Sequence, residues 1–531
     1  MRERQKARGG GSFVRQAAIL AAASLFVRFI GFAYRIPLTA LIGDVGNNLY
    51  ISAYSVYAFA IVISSGALPS TVSRLVSERL AKREYHNAHE LFKTALVFAL
   101  FSGAAVGVLM WVGAEWILNL LGQPQEAITA VRALAPTLFF VAMLAVFRGY
   151  FQGMKTTVPT AISQVLEQVV NVVFTVVLAS AFMQVAGLQH AVAGAAAGTG
   201  IGAIAGLAVV IIIYMFAVKL FKRRIARDHT PGESKIIQLS AIIKTAMPIA
   251  LGMGIFQLTT LIDLSMLSGG MSNFFPDLEI QTLTGQFTGK YLLFITLPAS
   301  LSLALSSAII PEITSSAVKM EKAAVRHKTN TALRISMILS IPSAVGLAVL
   351  ADPIIALLFP GHPEGGWLLR WGSVAIIFMA LVNVLTGTLQ GLGHTKMPMV
   401  AAFFGVLVKI PANFVLIGIP QINVLGAVIS TILCYAVAAI INMYYLYKTS
   451  GVLPEVGGTF VKPALAAAGM GMVCYIVYFT INMFMPSAIA TIAALLIGGL
   501  AYLLFMCALK GFKQSDLNAM PLPKRVKRWL K

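Results

Sequence analysis

Eight ionisable residues stand inside long apolar stretches of this chain or at their ends: Arg28, Arg35, Arg132, Lys290, Arg370, Lys409, Glu167 and Asp263. An ionised side chain at membrane depth costs from roughly 3 kcal/mol upward unless it faces water or a counter-ion. Arg28 lies near the middle of the first apolar run, and Arg35 follows about two turns later, so both share one helix face. Lys290 comes early in the eighth run. Guanidinium groups suit phosphate oxygens through paired hydrogen bonds. Arg28, Arg35 and Lys290 are therefore candidate binders of an anionic substrate such as a phosphate or pyrophosphate. The competing reading is that each pairs with Glu167 or Asp263, or snorkels to an interface.

Glu167, in Ser163-Gln-Val-Leu-Glu-Gln-Val-Val-Asn171, is a candidate for ion or proton coupling, and equally a static counter-ion. The same holds for Asp263, in Gln257-Leu-Thr-Thr-Leu-Ile-Asp263. Gln257 and Asn383 are possible polar partners in the same cavity. Asn383, Thr386, Gln390 and Asn413 otherwise read as interhelical hydrogen-bonding groups. Arg132 and Arg370 open the fourth and tenth runs near the outer face, where an ion pair or helix-end contact accounts for them. Lys409 lies mid-run, where a carboxylate or polar neighbour would pair with it.

The elements that carry these residues follow from composition. The chain has 531 residues, 58% of them hydrophobic and only 11% charged. Mean hydropathy is +0.84. Soluble domains carry about 25% charged residues, so a soluble enzyme is excluded. Unbroken apolar runs also argue against an outer-membrane barrel, whose strands alternate in and out. The runs fall at 13–42, 50–74, 94–114, 129–151, 158–184, 190–218, 241–267, 284–311, 331–359, 367–390, 398–419, 423–447, 460–482 and 486–509. The expectation is an all-α polytopic membrane protein with about fourteen transmembrane helices. Pro37, Pro248, Pro298 and Pro342 fall inside spans and can kink them.

Charge tests that count. The net charge is +21, from 40 Lys and Arg against 19 Asp and Glu. With the amino terminus in the cytoplasm and strict alternation, 34 of the 40 basic residues fall on cytoplasmic segments or their flanks. The outer loops hold acids instead, among them Asp44, Glu115, Glu126, Asp277, Glu279, Asp352 and Glu364. Both termini are therefore expected in the cytoplasm. The basic excess reads as a membrane-orientation signal, not as a nucleic-acid surface.

An internal repeat divides the chain. Ser64-Ser-Gly-Ala-Leu-Pro69 matches Ser306-Ser-Ala-Ile-Ile-Pro311, and Ala114-Glu-Trp-Ile-Leu-Asn-Leu-Leu121 matches Ala351-Asp-Pro-Ile-Ile-Ala-Leu-Leu358. Arg132 matches Arg370, and Gly149-Tyr-Phe-Gln-Gly153 matches Gly387-Thr-Leu-Gln-Gly391. The matches keep one order and nearly one spacing. The expected division is a six-helix lobe over 1–225, a second over 226–450, and two added helices with a basic tail over 451–531. Two parallel repeats imply a pseudo-two-fold axis along the membrane normal and a central cavity, as in alternating-access transporters.

Other patterns carry no chemistry. Gly194, Gly198, Gly202 and Gly206 recur every four residues, which is a helix-packing stripe. His86 and His89 have no further ligands nearby, so neither a metal nor another cofactor is expected. Cys434, Cys474 and Cys507 all lie in apolar runs and form no disulfide framework. No nucleophile–base set can be placed.

Phe26-Val-Arg28-Phe-Ile-Gly31-Phe-Ala33, followed by Leu41-Ile-Gly43, resembles the first helix of the MurJ-type lipid II flippases. The Gly-x-x-Gln-Gly repeats, the helix ends at Pro69 and Pro311 and the two added helices are similar too. This group belongs to the multidrug/oligosaccharidyl-lipid/polysaccharide exporter superfamily. Within it the chain looks most like the Gram-positive polysaccharide transporters related to stage V sporulation protein B. The resemblance implies two rocking lobes that carry undecaprenyl-pyrophosphate-linked precursor to the outer leaflet, with cavity arginines on the pyrophosphate and a lipid-tail groove on the last two helices. Arg28 falls on the family's first-helix arginine. The next family arginine falls on Tyr34, with Arg35 one residue later. The second-helix arginine falls near Ile61, and Leu49 stands where the family has an acid. Lys290 lies a few residues from the arginine of the second lobe.

The leading expectation is thus a non-enzymatic flippase in the bacterial cytoplasmic membrane. Its partners would be a lipid-linked oligosaccharide, membrane lipid and cell-wall synthesis machinery, and a monomer would suffice. The alternatives are an ion-coupled multidrug or cation antiporter of the same superfamily and a membrane glycan-processing enzyme. The antiporter would need cavity acids such as Glu167 and Asp263; the enzyme would need large outer loops that this chain lacks.

Overall fold

In the computed structural model every regular element is helical, and no strand occurs among the described residues. These residues are 23–24, 26–154, 156–225, 228, 230–318, 320–394, 396–513 and 516. The start of the first apolar run, the basic amino-terminal residues and the basic run of the tail lie outside them. Nine helices among the described residues are long and apolar enough to cross a membrane, or eleven if two bent pairs each count as one span. That is consistent with about fourteen spans, because each of the other thirteen runs coincides with helix. The apolar run 331–359 extends beyond its span. Its span is Lys322–Val349, and the chain breaks at Leu350 into a separate short helix, Ala351–Leu358.

Contacts divide the chain into two units, 1–268 and 269–531. In the first unit, helical residues 26–33 lead into Arg35–Ile61, which is broken at Gly43 (φ 66°, ψ −172°). Only glycine adopts that backbone without strain. A π-turn, Val62–Gly66, joins this helix to Leu68–Ala81, where Pro69 occupies the first turn. Tyr85–Val112 is followed by the short Ala114–Leu120 and by the pair Gln125–Leu134 and Thr137–Gly153, bent by 41°. Val158–Ala186 and Leu188–Ile225 then pack along most of their length, joined by Gly187 at φ 79°. The glycine stripe makes that packing possible. A Cβ on Gly194 would lie 2.9 Å from the Leu178 carbonyl oxygen, and one on Gly202 would lie 2.7 Å from that of Glu167.

The segment after Leu188–Ile225 is tied down on the same unit. Arg79 pairs with Glu233, and the Asn87 amide donates to the Pro231 carbonyl (3.1 Å) while accepting from the Glu233 N–H (3.0 Å). The His86 N–H (2.7 Å), the Thr230 N–H (3.0 Å) and the Thr230 hydroxyl (2.7 Å) all donate to Asp228. These donors pull the Asp228 carboxyl down to about 2, so it stays ionised at any ordinary pH. Lys235–Met271, with Pro248 inside it, follows.

The second unit repeats the order. The short helix Ala351–Leu358 precedes a pair, Gly366–Gly372 and Ala375–Gly391, bent by 50°. Gly149 sits against the Pro69 carbonyl oxygen in the first unit, and Gly387 against that of Ser306 in the second. The two matched Gly-x-x-Gln-Gly motifs therefore serve one purpose, a close crossing of equivalent helices. Lys396–Ile417 pairs with Leu425–Ser450, and Lys462–Asn482 with Ser487–Ala508.

Candidate functional site

Arg28 and Arg35 are placed by the first helix and its turn. On a straight helix, Arg35 and Tyr50 would be about 22 Å apart at 1.5 Å per residue. The break at Gly43 folds the chain back, and the Arg35 guanidinium lies 5.7 Å from the centre of the Tyr50 ring. Tyr34 and Tyr50 bring their hydroxyls to 3.4 Å, and Asn47 donates to Thr39 (2.9 Å) across the same fold. Tyr50, Tyr54 and Tyr57 form a ladder at i, i+4 and i+7. The first two rings stack at 6.0 Å, and Tyr54 and Tyr57 lie 5.7 Å apart. Arg35 is half-buried and Arg28 exposed. Among the described residues neither forms an ion pair. A guanidinium held on an aromatic face keeps its in-plane donors for a further acceptor.

Glu167 is committed elsewhere. Its carboxylate pairs with Arg148 at 2.6 Å, and Arg148 also donates to the Ser163 hydroxyl (2.9 Å). Both side chains are mostly buried. Charge counting places Arg148 among the topology signals; one turn of Val158–Ala186 brings it two partners, Ser163 and Glu167. The side of Gly31 faces Gln168 at 3.6 Å, so the helix bearing Arg28 lies against the helix bearing Glu167. Asp263 is buried and Gln257 half-buried on Lys235–Met271.

Lys290 belongs to the second unit, on the π-turn Gln286–Tyr291. It is fully buried and donates to the carbonyls of His362 (2.8 Å) and Glu364 (2.9 Å), with its ammonium 5.8 Å from the Phe359 ring. In this conformation the ammonium anchors the 359–365 loop, so substrate binding by Lys290 would require breaking those bonds. Asn383 donates to the Ala299 carbonyl (3.1 Å) and its own carbonyl accepts from Ser306 (2.6 Å). It joins Leu292–Val318 to Ala375–Gly391 as an interhelical bond. Arg132 lies over the Trp111 ring (5.2 Å), and Arg370 pairs with Asp352 on the exposed surface. Lys409 is buried, and Asn413 accepts from Ser430.

Of the seven candidate residues, the structure gathers aromatic partners around Arg35 and leaves Arg28 accessible. It gives Glu167, Lys290 and Asn383 structural partners. The tyrosine ladder was not singled out from sequence, although its spacing on one helix face was a readable signal.

Residues 50–498 match the family model described as "Lipid II flippase MurJ". The chain is 28% identical to "Uncharacterized membrane protein YabM" of Bacillus subtilis, over 97% of this chain and 96% of that one. It is 26% identical to "Lipid II flippase MurJ" of the same organism, over 95% and 96%. Among solved structures it is similar to "Lipid II flippase MurJ, inward closed conformation", with a TM-score of 0.70 at 18% identity, covering 92% of this chain and 98% of that one. An all-helical polytopic protein with matched bent helix pairs in its two units, and with a family match over most of its length, belongs to the lipid II flippase MurJ family of membrane transporters.

Proposed function

We propose that this protein is a flippase for an undecaprenyl-pyrophosphate-linked cell-wall precursor, with lipid II as the substrate. It moves the precursor from the inner to the outer leaflet of the cytoplasmic membrane by alternating access of its two lobes. The observation that carries this reading is a pair of arginines, Arg28 and Arg35, two helical turns apart in the first membrane helix and with no ion pair among the described residues. A pyrophosphate carries adjacent anionic oxygens that two guanidinium groups can bind in forked geometry. Binding must also be reversible. Arg35, backed by the Tyr50 ring, and the exposed Arg28 can accept and release an anion without breaking an ion pair to any described residue.

The Arg148–Glu167 pair counts against the cation-antiporter reading. A carboxylate neutralised by a neighbouring guanidinium holds a cationic substrate poorly. Lys290 is a second-lobe contact only if its loop releases it. Both termini lie in the cytoplasm on this reading, and a monomer suffices.

The test is complementation of a cell depleted of its own lipid II flippase, with membrane levels of every variant checked. Wild type is expected to rescue. Arg28→Ala and Arg35→Ala are expected to lose rescue at normal abundance. Arg28→Lys separates charge from geometry: partial rescue means that Coulomb attraction suffices, and none means that the forked donor pair is required. A well-expressed wild type that fails to rescue would refute lipid II as the substrate in that host.

A further inference from the structure

Arg334 is an anomaly. It is a cation thirteen residues into the Lys322–Val349 helix and only 2% exposed. Charge counting places it among the cytoplasmic orientation signals, which need no partner. Here it has two. Its Nε and Nη2 each donate at 2.7 Å to the two oxygens of Asp516, the paired geometry in which a guanidinium binds a carboxylate most strongly. Its Nη1 donates to Glu455 at 3.1 Å. Lys513 closes the ring: its ammonium pairs with Glu455, and its backbone N–H donates to Asp516 at 2.9 Å. Asp516 is fully buried.

The positions of the two acids give this cluster its meaning. Glu455 precedes the helix pair Lys462–Asn482 and Ser487–Ala508, and Asp516 follows it. One buried guanidinium therefore holds both ends of the pair. Further contacts join the pair to the same lobe helix or to itself. Tyr502 donates to the Ile338 carbonyl (2.9 Å), the side of Gly471 faces Val345 at 3.0 Å, and the Lys462 ammonium donates to the Lys510 carbonyl (3.0 Å).

We infer that Arg334 is a bolt that fastens both ends of the carboxy-terminal helix pair to the Lys322–Val349 helix, so that the pair moves with the second unit as one rigid body. A buried cation in a low-dielectric site must keep its counter-charges, so releasing one end of the pair weakens the hold on the other. The bolt is distinct from Arg28 and Arg35 and does not depend on what the protein carries. Lys513 and the neighbouring arginines hold the Glu455 carboxyl below the usual carboxylate range, which keeps the ring charged at neutral pH.

Hydrogen exchange on the purified full chain in nanodiscs tests this without any transport assay. Asp516→Asn is expected to raise amide exchange at least tenfold at 509–513, and also at 451–461, the far end of the pair. Glu455→Gln, which leaves the paired Arg334–Asp516 bonds in place, is expected to give a smaller rise at both ends. Exchange within Tyr85–Val112 of the first unit stays unchanged. If each variant loosens only its own end, the two ends are held independently and the inference is overturned. If Asp516→Asn does not fold, the Glu455→Gln exchange pattern decides the matter alone.

Discussion

Arg148 and Glu167 show how a charge inside a membrane span becomes tolerable. Each alone is costly; at 2.6 Å they offset one another, and Ser163 takes a further donor of Arg148. Removing one partner of a buried pair costs more than removing both, because the survivor is left uncompensated. Arg148→Gln is therefore expected to cost up to about 3 kcal/mol, discounted from the fully buried case because the pair keeps some exposure. The double variant Arg148→Gln/Glu167→Gln is expected to recover much of that loss. Thermal unfolding of the four members of this cycle in one detergent reads the coupling; additive losses would mean that the pair contributes nothing. Lys290 obeys the same rule with different partners. Two backbone carbonyls and a ring face surround its ammonium, which helps a fully buried cation persist in the second unit.

Glycines do the corresponding work at the level of elements. Lipid gives no hydrophobic drive for helix association, so close backbone contact must supply it. The stripe from Gly194 to Gly206 lies directly on the backbone of Val158–Ala186, and Gly198 meets the Thr175 backbone. Gly198→Ala would push a methyl into that backbone and is expected to destabilise by about 1–3 kcal/mol. Gly499→Ala is its control. Nothing lies within 4 Å of a Cβ there, so better helix propensity is expected to leave stability unchanged or raised by about 0.5–1 kcal/mol. The melting temperature of purified Gly198→Ala should fall while that of Gly499→Ala holds or rises, and a neutral Gly198→Ala would remove the packing argument. This stripe was legible in sequence because a four-residue period of small residues has few other uses. The break at Gly43 was not: a single glycine in an apolar run does not announce that the chain folds back on itself.

The whole molecule inherits its orientation from charge. With the amino terminus in the cytoplasm and alternating spans, 34 basic residues fall on one side, which predicts that a reporter fused after Lys513 fluoresces in the cytoplasm, while a phosphatase fused at that point is inactive. The reverse result would require a miscounted span. Membrane class, most helix positions, the repeat and the family resemblance could be read from the chain alone, because apolar length and motif spacing are properties along one dimension. The identities of the intramembrane charges were equally plain; their partners were not. Arg148 found Glu167, 19 residues away, and Arg334 found Asp516, 182 residues away. A low dielectric demands that such charges be paired, and sequence states that demand. Which partner answers it depends on which side chains the fold brings within 3 Å, and only the tertiary structure decided that.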